Sequence, residues 1–292
     1  MRVFLTGATG FIGSAIVPEL IKAGHRVLGL ARSEANAQSL RAAGAEVHRG
    51  DLENVASLSS GAAQADAVIH TGFIHEFSRF QEVCEIDKRA IAALGAPLAG
   101  SARPLIITSG TAMGAAAPGQ PATEDYVNVQ HPNPRVASEV AAAAVSASGV
   151  DVRVVRLPQV HDPLKQGLIS PLIELSREKG VSAFVGDGKN RWPAVHRFAC
   201  AELYRLALEK GAPGARYNAV AEEGVPMKDI AEAIGRRIKV PVVSLSPGET
   251  AQHFGWLAMF AAFDMPASSA LTQQRLGWRP TGPGLISDID HG

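Results

Sequence analysis

The sequence predicts an α/β protein, a doubly wound parallel sheet followed by a smaller C-terminal lobe. Three features of the chain point to it. Short aliphatic runs alternate with longer helical patterns through the first half. A glycine-rich turn stands directly between the first such run and the first helix. From about Leu157 the alternation loosens, and Asp162-Pro163, Gly186-Asp187-Gly188 and the stretch from Pro241 to Gly248 interrupt shorter elements. These shifts divide the chain into a dinucleotide-binding unit at residues 1–160 and a mainly substrate-binding lobe at residues 161–292. The chain is expected to cross back to the first unit around residues 190–220.

In order, the predicted strands are Val3 to Leu5, Arg26 to Ala31, Glu46 to Arg49, Ala67 to His70, Leu105 to Thr108 and Val152 to Arg156. The first helix runs from Phe11 to Ala23, with Pro18 expected to kink it or mark a local irregularity. The helix before the sixth strand is capped by Asn133, has Pro134 at its first position and ends at Gly149. Its spacing puts Val136, Val140, Ala143 and Ala147 on one face. A later run from Pro226 to Ile238 is amphipathic, and Ala201 to Lys210 reads as a helix beside Cys200.

Composition narrows the function. Of 292 residues, 46% are hydrophobic and 19% charged, the balance of a folded chain. Twenty-eight basic residues match 28 acidic ones, so no net charge draws the molecule to nucleic acid or an anionic membrane. A small-molecule partner is expected, with the chain a monomer or homodimer. Two distant cysteines, Cys84 and Cys200, suggest neither a disulfide framework nor a metal site. The run from Trp256 to Phe263 is too short to span a bilayer, and the N-terminus enters a glycine turn with no room for a signal peptide; a cytoplasmic protein is expected.

The strongest motif is Thr6-Gly7-Ala8-Thr9-Gly10-Phe11-Ile12-Gly13. Gly7 permits a tight turn, Gly10 lets a diphosphate approach the backbone, and Gly13 lets the helix pack on the strand. Thr9, Phe11 and Ile12 complete the turn. The helix start then offers free amides to an anion. NAD sites usually place an acid at the end of the second strand; here Arg32 and Ser33 stand there and suit a 2′-phosphate. NADP is the expected cofactor, with NAD possible.

These residues, with Gly50-Asp51-Leu52, Trp192-Pro193-Ala194-Val195-His196 and the terminal Leu276-Gly277-Trp278-Arg279-Pro280, resemble the extended and atypical short-chain dehydrogenase/reductases, often labelled NAD-dependent epimerase/dehydratase. The resemblance implies a Rossmann sheet, with Asp51 and Leu52 at the adenine, Thr71 and Gly72 along the ribose, and Leu157, Pro158 and Val160 beside the nicotinamide. That family uses a Tyr followed four residues later by a Lys. Four residues beyond Tyr126, Tyr204 and Tyr217 lie Gln130, Leu208 and Ala221, so the pair is absent. Alignment on Ser138-Glu139 puts His131 and Arg135 in those two places, although the prolines leave His131 ahead of the helix.

Hydride transfer needs only placement of the acceptor and stabilisation of its oxygen. His131 or His161 is the candidate proton donor, Arg135 the contact for a ribose or substrate anion, Thr108 a cofactor contact at the end of the fifth strand, and Ser109 or Thr111 the partner of a substrate carbonyl, with capping of the strand end the alternative role of Ser109. His75 is a further candidate for the pocket. Phe73, Phe77, Phe80, Trp192, Phe254, Trp256 and Phe260 are candidates for an apolar wall. The expected reaction is NADP-dependent reduction of a carbonyl or related unsaturated group in a small, rather apolar substrate. Sugar-nucleotide epimerase or dehydratase action and a non-catalytic NADP-binding redox sensor stand as alternatives.

Overall fold

A computed structural model describes residues 1–292. Strands and helices alternate as β1 (Arg2–Thr6), α1 (Gly13–Lys22), β2 (Arg26–Ala31), α2 (Glu34–Ala42), β3 (Glu46–Arg49), α3 (Val55–Ala63), β4 (Ala67–His70), α4 (Phe80–Gly95), β5 (Leu105–Gly110), α5 (Ala137–Ala147) and β6 (Val152–Leu157). Then follow β7 (Gln159–Asp162), β8 (Lys165–Gln166), α6 (Ile169–Lys179), β9 (Ser182–Val185), β10 (Arg191–His196), α7 (Arg197–Lys210), β11 (Arg216–Asn218), β12 (Glu222–Pro226), α8 (Met227–Ile238) and β13 (Val242–Leu245). Short helices α9 (Thr250–Phe254), α10 (Ala258–Ala261), α11 (Ala270–Leu276) and α12 (Leu285–His291) close the chain.

Seven parallel strands form the main sheet in the order β11-β6-β5-β4-β1-β2-β3. Parallel strands need both faces covered, and the core divides accordingly. Val3, Leu5, Ile106 and Val155 pack toward α1 and α7, while Phe4, Leu105, Ile107 and Val154 pack toward α3, α4 and α5. A four-stranded sheet in the order β12-β10-β7-β8 and a separate apolar cluster around Trp192, Ile230 and Phe254 build the second lobe. The division at residue 160 falls inside β7, and α7 and β11 belong to the main sheet and its α1 face. No helix is long and apolar enough to cross a membrane.

Two local expectations need correction. Helix α1 starts at Gly13 rather than Phe11 and runs unbroken past Pro18, which lies on its exposed side, as does Ser14, the residue whose carbonyl loses a helical partner. Helix α5 starts only at Ala137, after a 3₁₀ turn at Pro134–Val136 whose cap is Asn133. It buries Ala137, Ser138, Glu139, Ala141, Ala142 and Val145, whereas Val140, Ala143 and Ala147 face outward. Two polar side chains sit on the inner face because distant residues pair with them. Glu139, fully buried, receives hydrogen bonds from Arg156 at 2.7 Å and Arg216 at 2.9 Å.

Candidate active site

Between β1 and α1 the backbone turns through Gly7, whose φ of +68° is strained for other residues. A Cβ there would lie 2.7 Å from the Gly72 nitrogen, and one at Gly13 would collide with the Gly7 carbonyl oxygen. The turn is therefore pressed against itself and against the loop after β4. Thr71 Oγ1 donates to the Thr6 carbonyl at 2.8 Å and the Gly72 amide donates to Thr6 Oγ1 at 3.2 Å, tying that loop to β1. The amides of Phe11 and Ile12 donate to no group of the chain, at the positive end of α1. Crowded glycines and free amides fit a diphosphate, and this cradle meets the requirements of a dinucleotide.

At the far end of the cradle Arg32 leaves the sheet with its side chain 77% exposed, its Nε 4.0 Å from an Asp51 oxygen. Ser33 caps α2 by accepting from the Asn36 amide at 3.2 Å, so its hydroxyl already has one partner. Leu52 packs at Gly72. Leu157 and Pro158 are half-buried at the end of β6, whereas Val160 lies in the core.

Sequence reasoning missed the arrangement on the other side of the gap. His70, the last residue of β4, is buried with Nδ1 2.6 Å from Thr6 Oγ1 and Nε2 3.1 Å from Asp87 on α4. A carboxylate only accepts, so the proton of a neutral ring sits on Nε2 and the Thr6 hydroxyl donates to Nδ1. The other Asp87 oxygen receives Arg135 Nη1 at 2.6 Å and Ser138 Oγ at 2.7 Å, and Arg135 Nη2 donates to the Thr108 carbonyl at 3.0 Å. Burial acts to raise the Asp87 carboxyl, but Arg135, His70 and Ser138 outweigh it and hold it well below the usual carboxylate range. The Thr108 hydroxyl donates to the His70 carbonyl at 2.7 Å and meets the Tyr204 hydroxyl at 2.6 Å. Thr108 is thus a structural link rather than an open cofactor contact. Tyr204 is fully buried and donates its hydroxyl hydrogen to Thr108 Oγ1, whose own hydrogen goes to the His70 carbonyl; burial pushes the phenol far above its ordinary value, so it stays protonated. Asp87 interrupts the apolar stripe of Val83, Ile86, Ala90 and Ile91 on α4, the one sequence signal that marked it.

The sequence candidates fare unequally. Ser109 is buried and its hydroxyl has no partner, so the alternative role of capping a strand end is not what it does. Arg135 is held one residue from it, its guanidinium 4.1 Å above the Phe73 ring. His131 is half-buried ahead of the 3₁₀ turn; its Nδ1 accepts from the Asn133 amide at 3.1 Å, which leaves Nε2 to carry the proton, and burial lowers its pKa. His161 is elsewhere. It has no exposed surface, its Nδ1 lies 2.6 Å from Asp288 on α12, and its ring packs edge-on against His196, so it presents no proton to the cleft. Its place just after the sixth strand suits the substrate side of a nicotinamide in the family architecture, but β7 belongs to the second sheet and turns it under α12. Phe73, Phe77, Phe80 and Trp256 form an aromatic cluster, with Phe77 and Trp256 stacked at 4.4 Å, while Trp192, Phe254 and Phe260 belong to the core of the second lobe. His75 joins that cluster, 5.4 Å from Phe73.

Residues 3–219 match the sequence model of the NAD dependent epimerase/dehydratase family. The chain belongs to this family. Its members and relatives are enzymes of the NAD(P)-dependent oxidoreductase type, and the Rossmann architecture is theirs. An uncharacterized protein of Schizosaccharomyces pombe is 50% identical over 290 residues, covering 99% of this chain and 98% of that one. The 2-alkyl-3-oxoalkanoate reductase of Stenotrophomonas maltophilia is 28% identical over 262 residues, 83% of this chain and 77% of the reductase. Among solved structures, a UDP-glucuronic acid 4-epimerase from Bacillus cereus in complex with UDP-glucuronic acid and NAD superposes with a TM-score of 0.77 over 100% of this chain and 98% of that one, at 18% identity.

Proposed function

We propose that this chain is an NADP-dependent oxidoreductase that transfers hydride to a carbonyl, or a related unsaturated group, of a small and rather apolar substrate. Arg135 carries the reading. Its guanidinium is fixed by Asp87 and by the carbonyl of Thr108, the residue before Ser109, whose hydroxyl has no partner. A reduction builds negative charge on the substrate oxygen, and donors fixed in advance stabilise that charge without reorganising. The nicotinamide, when bound in the cradle, supplies the hydride. Arg135 then supplies positive charge at the substrate oxygen and Ser109 a hydrogen bond. His131, half-exposed with its proton on Nε2, delivers the solvent proton that completes the hydroxyl.

Several features support the finer assignments. Phe73, Phe77, Phe80 and Trp256 suit an apolar substrate body. Arg32 is exposed at the adenosine end and free to fork onto a 2′-phosphate. The name of the Stenotrophomonas maltophilia reductase describes ketone reduction. Free, buried Cys84 and Cys200 suit a reducing compartment such as the cytoplasm. NADPH oxidation against a panel of ketones, aldehydes and imines tests the reading. Turnover is expected with NADPH preferred to NADH, and Ser109→Ala and His131→Ala should each slow it about 100-fold with coenzyme affinity unchanged. Tight coenzyme binding without turnover on any of these would overturn it in favour of a coenzyme-binding sensor.

A further inference from the structure

In the main sheet β1 lies between β2 and β4, and the connections leave in opposite directions on either side of the β1/β4 gap. Ligands of open α/β sheets lie across such a gap, at the C-terminal ends of the strands. Its walls here are the glycine turn with Phe11 on one side and the loop from Thr71 to His75 on the other.

Two pieces overhang these walls, the start of α7 on the main-sheet side and the β7–β8 hairpin of the second lobe. The first turn of α7 brings Arg197, whose guanidinium carbon is 4.9 Å from the centre of the Phe11 ring and whose Nη2 donates to Ser14 Oγ at 3.1 Å. The β7–β8 hairpin brings Lys165, whose Nζ is 5.8 Å from the centre of the same ring. The Lys165 charge is also felt across the gap at His75, whose pKa is lowered first by burial and then by Lys165 and Arg135. The hairpin itself is fixed, because Asp162 Oδ1 accepts the amides of Leu164 and Lys165, both at 2.9 Å.

These cations differ in what already neutralises them. Arg135 is paired with Asp87 at 2.6 Å and Arg197 with Asp162 at 2.7 Å. Lys165 forms no ion pair; its ammonium stands 5.8 Å from the centre of the ring of Phe11, a residue whose own backbone amide has no partner in the chain. A flexible ammonium is a point charge that engages phosphate oxygens without demanding one geometry.

We infer that Lys165 is a diphosphate ligand, a strap from the second lobe whose ammonium closes over the bound coenzyme opposite the amides of α1. The inference rests on the reading that the cradle binds a nicotinamide dinucleotide. The diphosphate is common to both coenzymes, so Lys165 acts on NADPH and NADH alike, whereas Arg32 distinguishes them.

Titration of coenzyme fluorescence against the full-length wild type, Lys165→Ala and Lys165→Arg, at low and high salt, tests this. Lys165→Ala should raise Kd about tenfold for NADPH and NADH in the same ratio, with the difference shrinking in high salt and Tm unchanged. Lys165→Arg should restore most of the affinity. Equal Kd values for wild type and Lys165→Ala would overturn the inference, as would a loss confined to substrate KM with coenzyme Kd intact. If the wild type binds neither coenzyme, the cradle reading itself fails and the strap with it.

Discussion

The two ends of the cradle are built from opposite materials. At the end proposed for the adenosine, Arg32, Ser33 and Asp51 lie at the ends of neighbouring strands β2 and β3, in water, with a cation 4.0 Å from its nearest carboxylate oxygen. At the end proposed for the substrate, Thr6, His70, Asp87, Thr108, Arg135, Ser138 and Tyr204 come from six parts of the chain and form one hydrogen-bonded network around an aspartate only 4% exposed. An exposed cation acts through a weak, salt-screened field and can select a ligand without holding the fold. A buried ion pair contributes little net stability but is costly to break, so it fixes geometry. On the proposed function, specificity and geometry belong to separate regions, and substitutions should separate them.

The largest effect is expected from Asp87→Ala. It strands the Arg135 guanidinium and removes the acceptor of His70 and Ser138, at a cost of about 3–5 kcal/mol. Thermal unfolding should show Tm falling by on the order of 10 °C. Asp87→Asn gives the corresponding pH signature. The folded-state pKa of Asp87 lies below its unfolded value, so its stabilisation is complete above the ordinary carboxylate value, about 4, and is lost as pH falls through the folded one. The stability gap between wild type and Asp87→Asn should therefore be constant near neutrality and narrow below about pH 4. A gap independent of pH down to acid unfolding would show that Asp87 is not a charged partner of Arg135.

Next in size is Arg135→Lys, which keeps the charge and loses the fork that joins Asp87 to the Thr108 carbonyl. Turnover should fall about 10- to 100-fold while the coenzyme Kd stays within twofold, because the diphosphate cradle is untouched. A matched loss in coenzyme affinity would move Arg135 from the substrate oxygen to the cofactor.

The same contrast explains what the sequence disclosed. Every part of the adenosine end is local: a glycine turn, a strand end and a helix cap carry their own signals within a few residues. The substrate end is not. His70 reads as the last residue of an apolar strand, and Ser138 and Glu139 fall on the face of α5 that an alanine-rich pattern marks as outer, because alanine gives little contrast between faces. Their burial is decided by Asp87, Arg156 and Arg216, which only the fold brings near. His161 went the other way: its position after β6 suggested the cleft, yet the start of a second sheet two residues later carries it to Asp288. Arg135 was legible as a cation replacing a lysine, but not as one already paired.

The smallest effect sharpens the contrast most, since it isolates selection from stability. Arg32→Ala removes a side chain 77% exposed, so Tm should move by less than the change from any buried residue and stability by no more than about 0.5 kcal/mol. What should change is the ratio of Kd values for NADP and NAD, by about five- to tenfold, entirely through weaker NADP binding. The field of an exposed guanidinium reaches about 10 Å at 0.1 M salt, so the wild-type preference should itself fade as salt rises and the Arg32→Ala ratio should not. Asp51 gives an internal control. It lies beside Arg32 and repels a phosphate, so Asp51→Asn should shift the ratio toward NADP. If Arg32→Ala leaves the ratio unchanged while Asp51→Asn moves it, discrimination lies with the carboxylate and not with the cation.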